Sequence, residues 1–151
     1  MPNVTFDLIH RHGSVRKYRP DPVSAETIET IVVAGQRAST SSNPQMTSVV
    51  AVTEATTRTR LSELCGNQAH DAQAPVFLAW CADLQRLDRA CKLRGIDQIT
   101  DYVENFLVAA VDVAIAAQNA AMTANLLTDT RWRAQQSSTT DQRRPDVLFA
   151  T

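Results

Sequence analysis

Apolar residues recur along this chain at helical spacing, then in unbroken runs, then at helical spacing again, with polar breaks between. Val4, Phe6 and Ile9 form a short stripe that predicts a first helix ending near His12. Pro20 and Pro22 impose an extended connection. Ser24 then supplies an N-cap, Glu26 a favoured first-turn charge, and Ile28, Ile31 and Val32 the face of a second helix to about Arg37. Residues 38–45 (ASTSSNPQ) break the pattern with small polar side chains. Residues 47–53 (TSVVAVT) are β-branched and mostly apolar, which predicts an interior strand.

Residues 58–64 predict a helix with Leu61 and Leu64 on one side and Gly66 as its stop. A polar piece, 67–74, ends at Pro75. Residues 76–82 (VFLAWCA) are apolar throughout and predict a strand covered on both faces. Asp83 caps a helix reaching about Arg94, stopped by Gly95. The longest element, about 102–127, is capped by Asp101 and carries Phe106, Ala110, Val113, Ala117 and Ala121 at helical spacing. Its opposite side is nearly as apolar, so it predicts a helix buried all round, with many alanines that admit another backbone closely. In a small chain such cover implies a subunit interface. Asp112 within it reads as a helix-packing hydrogen bonder. After Leu127 neither period persists until Val147, and 128–151 predicts a poorly ordered tail rich in Thr, Arg, Gln and Ser.

Composition narrows the picture. At 151 residues, 44% hydrophobic and 21% charged, the chain predicts one globular domain with a real core. A net charge of -1 gives no global attraction to nucleic acid or an anionic membrane, so any anion site must be local. No uninterrupted apolar run of membrane-spanning length and no signal-peptide core are recognised. Three cysteines, Cys65, Cys81 and Cys91, form no C-x-x-C pair. An odd count of that kind predicts buried thiols in a reducing cytoplasm rather than a disulfide framework or zinc site.

Chemistry concentrates in Arg11-His12-Gly13-Ser14-Val15-Arg16-Lys17-Tyr18-Arg19. Glycine and serine let a ligand approach the backbone, and Arg16 offers a forked donor set matched to phosphate oxygens. Taken alone, the stretch reads equally well as a solvated basic loop. Other constellations are weaker. His10, His12 and His70 lack further ligands at a metal-binding spacing. A lone His70-Asp71 does not make a phosphohydrolase site. Ser14 and His12 do not make a triad without geometry. Cys81, in an apolar strand, reads as inert, and no G-x-G-x-x-G follows a strand.

Taken in order, residues 12–18 (HGSVRKY), the 38–45 loop, Gly66-Asn67-Gln68, the strand into Cys81-Ala82-Asp83, and Glu104-Asn105-Phe106 before an alanine-rich helix resemble the nitroreductase family. The similarity is strongest to the oxygen-insensitive NADPH nitroreductases and flavin reductases, and covers about residues 4–127. It implies an α+β fold, helices around a small, mostly antiparallel sheet, with the long Ala-rich helix at a homodimer interface. It further implies FMN at that interface, NAD(P)H as reductant, and two-electron transfer to nitroaromatics, quinones or free flavin. By the same resemblance His12, Ser14 and Arg16 hold the FMN phosphate. Thr40, Ser41, Ser42, Gln45 and Gln68 contact the ribityl chain and the pyrimidine edge. No protein acid–base pair is implied, since the cofactor carries the chemistry.

Two departures accompany the resemblance. The family usually has arginine where this chain has Gly13, which removes one phosphate contact. A glycine-bearing strand, a basic pair and a partner-packing tail usually follow the long helix, and none is recognisable after Leu127. The expectation is that 1–127 carries the family's N-terminal portion and that 128–151 arises from a truncated or frameshifted reading. Translating the coding DNA in the other two frames beyond Leu127 tests it. A non-catalytic fragment that dimerises and binds flavin weakly or not at all is the competing expectation, and an unrelated small α+β binding module a third.

Overall fold

A computed structural model describes residues 3–99, 102–135 and 148–150. Element order is α1 (Val4–Arg11), α2 (Ala25–Gln36), β1 (Thr47–Val52), α3 (Ala55–Leu64), α4 (Ala69–Gln73), β2 (Phe77–Ala82), α5 (Leu84–Lys92), α6 (Val103–Gln135) and β3 (Leu148–Ala150). β1 and β2 pair antiparallel, from Thr47 opposite Ala82 to Val52 opposite Phe77. β3 joins the other edge of β2 in parallel, Phe77 opposite Leu148. Helix α6 lies against α2 and β2. The core between them consists of Ile31, Val76, Leu78 and Trp80 packed on Val113, Ala116, Ala117, Ala120 and Ala124. The alanines are what allow so close an approach; larger side chains would hold the helix off the sheet.

Local signals act as their chemistry dictates. The Ser24 hydroxyl accepts from the Thr27 N–H at 3.2 Å, and the Asp83 carboxylate from Arg86 N–H at 3.1 Å. Gly66 and Gly95 take φ of +91° and +67° after α3 and α5. The Asn67 N–H then reaches back to Ser62 C=O (2.8 Å) and Ile96 N–H to Cys91 C=O (3.0 Å). These are the closing bonds of a left-handed helix stop.

Several expectations are corrected. α3 starts at Ala55, three residues early, because Glu54 caps it by accepting from Thr56 and Thr57. The 67–74 piece contains α4. β1 is an edge strand among the described residues, so Val50 and Ala51 are exposed instead of interior. β2 is buried through Trp80 but exposed at Cys81 and Ala82, where it runs past its cover. Cys65 and Cys81 are accordingly exposed thiols, not buried ones.

α6 runs to Gln135, beyond Leu127, and among its described side chains only one face is buried: Ala109, Val113, Ala116, Ala120 and Ala124 are covered, whereas Phe106, Leu107, Val111 and Ile115 face outward. A single layer of α2 and sheet can cover one side of a helix and no more. Its stretch Val103–Leu127 is long and apolar enough, by length and composition, to cross a bilayer, against the expectation of no such run. Its buried face is engaged with α2 and β2, the usual situation of a core helix. The first-helix stripe also points away from the core: Val4, Phe6 and Ile9 are exposed and Leu8 is the buried residue. Asp101, and residues 136–147 and 151 of the expected tail, lie outside the described residues.

Candidate functional site

The end of α2, the 39–45 loop, β1 and α6 enclose a cleft of about 610 Å³. Trp80 and Ala116 form its apolar wall; Thr40, Asn43 and Gln45 supply hydroxyl and amide groups; Ser48 and Arg86 lie along β1 and α5. Two tight contacts shape it. Gly35 leaves room for the Trp80 ring: a Cβ there would stand 2.2 Å from one ring carbon and 3.0 Å from the Ala116 carbonyl oxygen. The second contact is the Ser41 N–H, which donates to both Asp112 carboxylate oxygens at 3.1 and 3.3 Å. Asp112 is therefore a hydrogen bonder, and what it grips is the loop backbone.

The Trp80 indole N–H, buried in the wall, has no hydrogen-bond partner among the described residues. A buried donor of this kind costs roughly 1–3 kcal/mol when unpaired, and the wall itself carries that cost, since the nitrogen is not exposed to the cleft. Below the loop, Ser48 donates to the Asp83 carboxylate at 2.6 Å, and this bond holds the Asp83 carboxyl below its usual range. Arg86 donates to Thr47 C=O at 3.2 Å, which keeps a guanidinium beside the cleft.

Of the residues expected to bind a ligand, Thr40 and Gln45 line this cleft, and Ser41 is tied to it through Asp112. Ser42 belongs to the same exposed loop. His12, Ser14 and Arg16 stand elsewhere, on the exposed connection after α1. His12 Nδ1 lies 3.0 Å from Asn125 Nδ2, which joins that connection to the far part of α6. Tyr18 closes the stretch on itself by donating to Val15 C=O at 3.0 Å. Gln68, at the N-cap position of α4, is exposed, and its carbonyl oxygen accepts from Ser62 at 2.8 Å.

The two groups are thus held at separate points of one helix. Asp112 and Asn125 are thirteen positions apart, roughly 20 Å along the axis at 1.5 Å per residue. Gly35, Trp80 and Arg86 were not expected in the site. Their roles depend on which elements meet, which spacing within one segment does not encode.

Comparison with known proteins decides the family. The model of the nitroreductase family matches residues 9–135. The chain belongs to the nitroreductase family. This family member is 36% identical over 124 residues to FMN reductase (NADPH) of Bacillus subtilis, covering 81% of this chain and 50% of that protein. It is 38% identical over 122 residues to NADPH-flavin oxidoreductase of Vibrio harveyi, covering 81% and 49%. Among solved structures, NfrA2 of B. megaterium superposes with a TM-score of 0.80 at 37% identity, covering 84% of this chain and 52% of that one. The nitroreductase fold is therefore shared, and the chain spans about half the length of the relatives it matches.

Proposed function

We propose that this chain binds FMN and forms part of an NAD(P)H-dependent oxidoreductase of the flavin-reductase and nitroreductase type, acting in the cytoplasm as a homodimer. The observation that supports it best is the cleft itself, which sets hydroxyl and amide groups of Thr40, Asn43 and Gln45 beside the Trp80 indole wall. That donor set suits a flat heteroaromatic ring with polar edges and a polyhydroxyl chain. His12, Ser14 and Arg16 suit a phosphate, because Arg16 is exposed and makes no ion pair among the described residues.

FMN, when bound, would supply hydride acceptance from NAD(P)H and two-electron delivery to nitroaromatics, quinones or free flavin. The chain's own residues would bind and orient it. Ser41, Ser42 and Gln68 complete the proposed contacts. The roughly 20 Å offset between the two anchoring points on α6 favours a site assembled from two copies, one contributing the basic stretch and the other the serine-rich loop. The outward apolar residues of α6 and α1 give those copies a surface on which to meet.

The deciding experiment is a visible absorption spectrum after incubation with FMN and gel filtration. Flavin co-eluting at about one per chain supports the reading, and NAD(P)H oxidation is then assayed with each acceptor class. A colourless protein eluting as a dimer favours the second reading, a non-catalytic family member that dimerises without its cofactor.

A further inference from the structure

We propose that Asp112 is a positioning residue of the site: its buried carboxylate holds the 39–45 loop in the conformation that presents Thr40, Asn43 and Gln45 to the cleft. Ser42, Asn43 and Gln45 adopt φ of 52°, 53° and 52°, and none is glycine. Side chains rarely accept the left-handed region, and a run of them persists only when surrounding structure over-determines it. Within the loop, Gln45 Nε2 donates to Asn43 Oδ1 at 3.2 Å, a contact that cannot anchor the loop to anything else. Among the described residues, the bond from Ser41 N–H to Asp112 is the loop's one hydrogen bond to a side chain of another element.

The position of the carboxylate argues in the same direction. Asp112 is 3% exposed, beside Ala109, Val113 and Ala116 on the packed side of α6. An alanine or a neutral side chain would pack there without the cost of desolvating a charge, and the Ser41 N–H that the carboxylate accepts offsets part of that cost. A charge-assisted acceptor is roughly twice as strong as a neutral one. That strength offsets part of the strain of the three left-handed residues. The carboxylate also lines the cleft, so its grip is transmitted to the cleft wall directly.

The inference rests on the FMN reading only for the ligand's identity, and the test separates the two. Amide exchange is followed in the ligand-free full chain for wild type, Asp112→Asn and Asp112→Ala, with the Ala116 and Ala120 amides as the internal reference for an intact α6. The Ser41 amide should exchange about tenfold faster in Asp112→Asn, which keeps an acceptor oxygen, and faster still in Asp112→Ala. Ser41 exchange unchanged from wild type, in whichever variants keep α6 protected, overturns the proposal. FMN titration forms the second arm. Asp112→Ala should raise Kd at least tenfold and Asp112→Asn by less, whereas equal affinity in a folded Asp112→Ala overturns the positioning role. Wild type that binds no FMN would defeat the flavin reading and leave the exchange result to judge Asp112.

Discussion

Gly13 stands between His12 and Ser14 with open space where a side chain would go: nothing lies within 4 Å of a Cβ built there. The nitroreductase resemblance places an arginine at this point. Gly13→Arg should therefore fit without displacing a neighbour and add one charge-assisted contact to a bound phosphate. Such a contact contributes about 1.5–3 kcal/mol, or roughly ten- to a hundredfold in FMN affinity. The converse change, Arg16→Ala, should weaken FMN by more than about tenfold and leave the proposed dimer intact. Fluorescence titration of FMN against both variants checks the pair, and an unchanged Kd for a folded Arg16→Ala would remove Arg16 from the site. The phosphate role proposed for His12, Ser14 and Arg16 comes from the family resemblance, because by residue type alone the stretch reads equally well as a solvated basic loop. Asp112 was legible as a hydrogen bonder in an apolar helix, but what it would bond was not. Its partner, the Ser41 N–H, is a backbone group 71 positions away.

Helix α3 illustrates what a short element owes to its cap. Glu54 accepts the hydroxyls and N–H groups of Thr56 and Thr57, the hydroxyl of Thr56 coming first, and these bonds lower its pKa from 4.5 to about 2. A carboxylate with a depressed folded pKa stabilises the fold above its ordinary pKa, and that stabilisation is lost as pH falls toward the folded value. The first turn of α3 should hence lose amide protection between about pH 4.5 and 2. Glu54→Gln should abolish that dependence; persistence of the same profile would assign it to another group. Helix α2 meets a different constraint at Gly35. Alanine there would raise helix propensity by up to about 1 kcal/mol, yet its Cβ would meet Trp80 at 2.2 Å and Ala116 O at 3.0 Å. Overpacking costs about 1–3 kcal/mol, and the wall is close-packed, so the clash wins. Gly35→Ala should lower Tm by several degrees and narrow the cleft; an equal or higher Tm would show that Trp80 can move.

At the scale of the whole molecule, the outward side of α6 and the stripe on α1 form the surface on which the proposed homodimer would assemble. Phe106, Leu107, Val111 and Ile115 on one helix and Val4, Phe6 and Ile9 on the other are exposed large apolar side chains, and the two helices are in contact. A surface of that kind is normally an interaction site. Combining Val111→Lys with Ile115→Glu should convert a sedimenting dimer to a single chain while the helical circular dichroism is kept. Flavin binding should fall with it if the site is shared between copies. A double variant that still sediments as a dimer would move the interface elsewhere.

Local chemistry by itself determined the helix starts at Ser24 and Asp83, the stops at Gly66 and Gly95, the strands β1 and β2, and the order of elements that marks the nitroreductase family. These signals act within a few residues, through capping oxygens, left-handed glycines and unbroken apolar, β-branched runs, so one chain carries them without reference to the rest. Tertiary structure decided which face of α6 is covered, why β1 is exposed, why Gly35 must lack a side chain, and why a carboxylate sits at position 112. Each depends on a contact between segments far apart in the chain. Periodicity can show that a helix is apolar on every side; only the number of layers packed against it determines which of those sides is left for a partner.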